Sequence, residues 1–191
     1  MSPLAVVTRV AALTAVVCAS AAASTDSLMT LTDLAQRVPS GYREIAAEQR
    51  IPAALFYAIA LTESGYGPSA GADPRPWPWT LNIRGKGHYY PSFAAAAQAL
   101  TATLRRGETA VDVGLMQIHW RYHHAALGTV HRALDPYHNL RVAAQILADC
   151  YRQRTDWWSA AGCYHAPNNP ALAERYQARV QRHWRALRPD V

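Results

Sequence analysis

The segment that most constrains this chain is Pro52 to Ser64, which is apolar on most faces of the helix it would form. Leu55, Phe56, Ile59 and Ala60 carry the helical spacing, and their neighbours are mostly apolar as well. A surface helix keeps a polar face, so one lacking it has to be enclosed by the rest of the domain. Pro52 suits the first turn of this helix, and Gly65 ends it. At its C-terminal end the helix carries a carboxylate, Glu63, directly before Ser64.

The flanking sequence reads mostly as helix. A short helix is expected over Thr32 to Val38, stopped by Pro39. The next runs over Gly41 to Arg50, with Ser40 as its cap and Tyr42, Ile45, Ala46 and Gln49 on spacing. Between Gly65 and Pro91 the character changes. Pro68, Pro74, Pro76 and Pro78 break helices there, and Trp79 to Ile83 with His88 to Tyr90 flank Arg84-Gly85-Lys86-Gly87 as a small hairpin. Ser92 caps an alanine-rich helix to Arg106, with Gly107 as its stop, and Thr109 to Val113 is extended. Further helices are expected over Asn139 to Arg154, Asp156 to His165 and Pro170 to Leu187. The expected fold is mainly α, a helical domain with a small β-hairpin insertion.

The N-terminus reads differently. Arg9 is the only charge before an apolar run, Val10 to Cys18, which leads into Ala19-Ser20-Ala21-Ala22-Ala23-Ser24. That pattern is a secretory signal peptide, residues 1–23, with cleavage after Ala23 or, as second choice, Ala21. An uncleaved anchor is the alternative, although a spanning helix needs about 20 apolar residues and this run is shorter. The remaining 168 residues, 24–191, suit a single domain. Export implies a periplasmic location. It also leaves Cys150 and Cys163 as a pair in an oxidising compartment, which suggests one disulfide worth about 2–3 kcal/mol on the chain-entropy model. Two buried free thiols are the alternative.

The formal net charge of +6 favours an anionic partner such as the cell wall, a lipid surface or nucleic acid. Lys86 is the sole lysine, and the arginines are spread along the chain without a basic block interleaved with aromatics. Nucleic-acid binding is therefore not expected.

Of the 13 carboxylates, most sit beside arginine or at helix starts. Glu63 instead closes the most apolar helix. Desolvation and the negative end of the helix dipole both disfavour its charge and push its pKa upward, as a general acid near neutral pH requires. Position alone is equally compatible with an ordinary glutamate bonded to a backbone amide at a helix end. Two further segments bear on the choice. In Val113-Gly114-Leu115-Met116-Gln117-Ile118 a glycine permits close backbone approach, and a glutamine amide can bond a polar ligand against an apolar wall. In the small-residue run Ser159 to Ala166, Tyr164 and His165 stand at a helix end.

Together these segments resemble the lytic transglycosylase domain, the goose-lysozyme-like helical fold that cuts peptidoglycan. Glu63-Ser64 matches its Glu-Ser after a hydrophobic helix, and Gly114-Leu115-Met116-Gln117 its Gly-Leu-Met-Gln. Tyr164 matches its late tyrosine, whereas His165 replaces the family's asparagine. The long insertion between the first two motifs is similar to specialised members encoded by integrating conjugative elements and by conjugation or secretion systems. The resemblance implies a catalytic Glu63. It places Ser64, Gly114, Leu115, Met116, Gln117, Tyr164 and His165 at the substrate, with the Tyr164 hydroxyl orienting the glutamate. The implied substrate is peptidoglycan, and the implied partner a conjugation or type IV secretion apparatus. Glu63 would protonate the glycosidic oxygen of the MurNAc-GlcNAc bond and then take the proton of the muramyl 6-hydroxyl, giving a 1,6-anhydro product without metal or cofactor.

A protein-nucleophile or water-activating mechanism needs a second carboxylate, and Asp112 is the one candidate near a motif, more naturally a structural hydrogen-bonder. Trp77, Trp79, Tyr89, Tyr90, Trp120 and Tyr122 could stack on sugar rings. His119, His123 and His124 invite a metal, but the zinc-protease pattern needs Glu where Trp120 stands. The rival functions are a hydrolytic muramidase and a non-catalytic factor that docks an apparatus on the wall.

Overall fold

A computed structural model describes residues 37–67, 69 and 73–187. The expected signal peptide, and the Thr32 to Val38 helix apart from Arg37 and Val38, lie outside them. The described elements run α1 (Ser40–Glu48), α2 (Ala53–Ser64), β1 (Gly65–Tyr66), β2 (Arg75–Pro76), β3 (Thr80–Ile83), β4 (Lys86–Tyr89) and α3 (Phe93–Arg105). Then follow β5 (Val111–Val113), β6 (Ile118–His119), α4 (Trp120–Leu127), α5 (Val130–Leu134), α6 (Pro136–Arg154), α7 (Trp157–His165) and α8 (Pro170–Ala186). The fold is mainly helical with a small antiparallel sheet. No helix among the described residues is long and apolar enough to cross a membrane.

Helix α2 is the centre of the core. Leu55, Phe56, Ala58, Ile59 and Ala60 are all essentially without solvent exposure, as its all-round apolar sequence demands. It packs on α1 and on α8, while α6, α7 and α8 pack in succession against one another. Burying this set removes several large side chains from water at roughly 1.5–3 kcal/mol each. A disulfide joins Cys150 of α6 to Cys163 of α7, with Cα atoms 5.8 Å apart, and so ties the middle of the helical layer.

Local signals account for most helix ends. Ser92 accepts from the Ala95 amide, Asp135 from His138, Asp156 from Ser159, and Asn169 from Leu172, each satisfying a first-turn donor that has no partner within the helix. Ser40 is a correction: it is the first helical residue, and Pro39, with no side chain able to cap, precedes it. Pro52 likewise precedes α2 rather than opening its first turn. A Cβ at Gly65 would lie 2.4 Å from the Leu61 carbonyl oxygen, so only glycine permits this exit from α2.

The sheet is larger than the expected hairpin. Its strand order is β4-β3-β5-β6, and β1 and β2 form a separate two-stranded ladder. The β3–β4 turn is Arg84-Gly85, both at positive φ (52° and 83°), the geometry that two-residue hairpins favour. Lys86 and Gly87, expected in the turn, instead begin β4. The register Asn82↔Asp112 and Asp112↔His119 lines these three side chains up across β3, β5 and β6. Alternation puts Leu81, Val111, Val113 and Ile118 into the core and turns the polar row the other way.

Candidate active site

A cleft of about 810 Å³ lies between the helical layer and the sheet, lined by Glu63, Asn82, Asp112, Gln117, His119, Tyr122 and His165 among others. Glu63 enters it from the last turn of α2, with its side chain 12 % exposed. Its Oε1 accepts a 2.7 Å hydrogen bond from the Tyr176 hydroxyl, and Tyr176 is fully buried in α8. Burial raises the Glu63 pKa to about 7; the Tyr176 hydrogen bond opposes this, Asp112 adds to it, and Arg179 lowers it again. A carboxyl group that still holds its proton near neutral pH, inside an open cleft, can act as a general acid.

The Gly-Leu-Met-Gln segment forms the turn between β5 and β6. Gly114 (φ 80°) and Gln117 (φ 46°) both take left-handed conformations, and a Cβ at Gly114 would meet the Asn139 side chain at 2.6–3.0 Å. This glycine therefore makes room for Asn139. Asn139 is fully buried and ties the turn and the end of β5 to α5. Its Nδ2 donates to the carbonyls of Val113 (2.9 Å) and Ala133 (3.1 Å), and its Oδ1 accepts from the Met116 amide (2.9 Å).

Several expected substrate residues turn inward. Ser64 is fully buried, and its hydroxyl lies 2.6 Å from the Leu115 carbonyl oxygen and 3.3 Å from that of Ala60. Its position joins the Glu63 helix to the turn and leaves no path to a ligand. Leu115 and Met116 are 5 % and 0 % exposed and pack in the core. Gln117 does line the cleft, with Nε2 donating to the carbonyls of Gly114 (2.8 Å) and Thr80 (3.2 Å). The hydroxyl of Tyr164, expected on Glu63, donates instead to the Met116 carbonyl at 2.7 Å. Tyr164 still lines the cleft, and burial raises its pKa, with Glu63 and Asp112 adding to the shift. The tyrosine that holds Glu63 is Tyr176, which sequence reasoning missed. It sits on the apolar stripe of the last helix, and only the packing of α8 on α2 gives it another role.

His165 ends α7 and faces the cleft, Nδ1 3.9 Å from Glu63 Oε1. Asp112, on the opposite wall, is bonded to His119 at 2.6 Å between Oδ1 and Nδ1. Next to it, Asn82 Oδ1 is buried without a partner. Of the aromatic candidates, Tyr122 lines the cleft. Trp77 and Trp79 pack edge to face at 5.3 Å, Tyr89 stacks on Tyr66 at 4.6 Å, and Tyr90 and Trp120 pack against the core. His119 lies in β6 ahead of α4, so it does not share a helix face with His123. Among the described residues no group of three or more His, Cys, Asp or Glu side chains could hold a metal ion.

Residues 41–185 match the family described as Transglycosylase SLT domain. No curated protein and no solved structure compared with the chain matches it. The family match spans well over half of the chain and takes in Glu63, the Gly114 turn, Tyr164 and Tyr176. With a buried glutamate of raised pKa in the cleft and this match around it, the chain belongs to the transglycosylase SLT domain family, the lytic transglycosylases, glycan-cleaving lyases that act on peptidoglycan.

Proposed function

We propose that Glu63 is the single acid/base of this enzyme and that it cuts the MurNAc-GlcNAc β-1,4 bond with formation of 1,6-anhydro-MurNAc. The observation that carries this reading is the state of one side chain. Glu63 faces the cleft, is held by Tyr176, and has a pKa raised to about 7. It gives its proton to the glycosidic oxygen as the bond to the anomeric carbon breaks. The N-acetyl group of the muramyl residue stabilises the positive charge that develops. Glu63, now a carboxylate, takes the proton of the 6-hydroxyl as that oxygen closes on the anomeric carbon. Gln117 and Tyr122 line the cleft and would hold the sugars. Ser64, Asn139 and Tyr164 support the wall through their bonds to the β5–β6 turn and the carbonyl before it.

Mass spectrometry of digested peptidoglycan tests this directly. The wild type is expected to release anhydro-muropeptides, and Glu63→Gln none. Reducing ends in place of anhydro ends would select the second reading, a hydrolytic muramidase. That reading is favoured by Asp112, a second carboxylate on the opposite wall that could activate water. Export through the basic and apolar N-terminus, residues 1–23, fits a periplasmic substrate. The long insertion after α2 supports a role in opening the wall for a conjugation or secretion apparatus. Deletion of the segment that follows Gly65, scored for transfer and for wall cleavage separately, tests the second point.

A further inference from the structure

His165 is a cleft side chain beside Glu63 without a task in the proposed reaction. The imidazole of His165 lies flat on the Tyr176 ring, centroids 4.3 Å apart and planes 6° from parallel. Its Nδ1 stands 3.9 Å from Glu63 Oε1, the oxygen that also accepts from Tyr176. One buried tyrosine thus sets both the plane of the imidazole and the position of the carboxylate. The gap is about 1 Å longer than a good N–H···O bond, and the His165 side chain, 37 % exposed, is free enough on its cleft side to close it.

We propose that His165 is a positioning residue for Glu63: as a neutral imidazole it donates Nδ1–H to the carboxylate left after proton transfer, and its protonation stalls ring closure. The inference rests on the role proposed for Glu63. The leaving sugar departs with the bonding electron pair and the Glu63 proton, so a bare carboxylate remains in a poorly hydrated place. A second neutral donor beside Tyr176 stabilises that carboxylate and leaves it basic enough to take the 6-hydroxyl proton. An imidazolium would pair with it as an ion and weaken it as a base.

The surroundings favour the neutral ring. Burial lowers the His165 pKa, Arg179 of α8 lowers it further, and Asp112 of β5 opposes both. The Arg179 guanidinium lies 5.2 Å from the Tyr176 ring centre. With its pKa raised to about 7, the Glu63 carboxyl is mostly neutral below that pH and does little to hold an imidazolium. Tyr164 and Tyr176, both with raised pKa values, stay neutral throughout. His119 and His123 also line the cleft, so a variant has to assign any acid limb.

The test is kcat and KM against pH on purified glycan strands for wild type, His165→Asn and His165→Ala. Wild-type kcat should be bell-shaped, with an alkaline limb near pH 7 from Glu63 and an acid limb below the ordinary histidine range. His165→Asn keeps an N–H donor that cannot titrate, so the acid limb should vanish. His165→Ala should lose about tenfold in kcat with KM little changed, as expected for one hydrogen bond to a charged group. An acid limb that persists unchanged in His165→Asn overturns the proposal. A rise in KM alone in His165→Ala also overturns it, because it would make the ring a simple substrate contact. Activity in Glu63→Gln is a separate failure, that of the glutamate's own role. An inactive Glu63→Gln beside an unaltered His165→Asn profile removes only the part given to His165.

Discussion

The two walls of the cleft each present a carboxylate, and they hold it in opposite ways. Glu63 comes from the end of an apolar helix, is 12 % exposed, and has a neutral phenol as its hydrogen-bond partner. Asp112 comes from the middle strand of a polar row, is 28 % exposed, and has an imidazole as its partner. A neutral donor leaves the burial penalty largely standing, so Glu63 retains its proton to about pH 7. On the proposed reading the helical layer supplies the acid, and the sheet supplies a polar surface for the ligand. One fold gives two carboxylates different work through environment alone.

The sharpest way to break that contrast is Glu63→Gln. Loss of the acid should cost roughly 10³-fold in kcat, within the range for general acid–base catalysis, while circular dichroism stays unchanged. The same variant tests the burial argument. Because the folded pKa lies above the unfolded value, the stability linked to this group is complete below about pH 4.5 and is lost as pH rises through about 7. At pH 8 the charged carboxylate costs the fold on the order of 3 kcal/mol. Melting curves should then show Glu63→Gln gaining stability over wild type at pH 8 and much less at pH 4. An equal difference at both values would mean that burial does not control this group.

Gly114→Ala probes the joint between the walls. A left-handed φ of 80° and a Cβ driven against Asn139 should lower stability by about 1–3 kcal/mol, read as a drop in denaturant midpoint. Tyr176→Phe is smaller and has a signed effect on pH. It removes a donor that lowers the Glu63 pKa, so kcat should fall about tenfold while the alkaline limb moves upward. An alkaline limb that stays in place would show that Tyr176 does not act on the carboxyl group. The smallest change is expected from Asp112→Asn, a few-fold in kcat with anhydro products unchanged. A collapse in activity, or a switch in product ends, would put the sheet wall on an equal footing with the helix.

Much of this was legible along the chain. The burial of α2, the cap at Ser92 and the stop at Gly65 follow from local rules. Glu63 stood out because a carboxylate at the end of so apolar a helix is unusual. Helices α4 and α5 were not anticipated: Trp120 to Leu134 carries several histidines and arginines and a central Gly128, which blur the helical period. Residues of the second motif were expected to touch substrate, yet Leu115 and Met116 fill the core. An apolar residue in a turn gives no sign of which side of its wall it will face.

The sequence alone determined the helical class and the central helix with its terminal glutamate, because these depend on spacing and on which residue types tolerate burial. Tertiary structure alone decided which tyrosine holds Glu63 and that Asn139 pins the turn. It also decided that Asn82, Asp112 and His119 share one face. Each of these is a meeting of side chains from elements far apart in the chain, set by strand register and by how helices pack, and no local pattern encodes such a meeting.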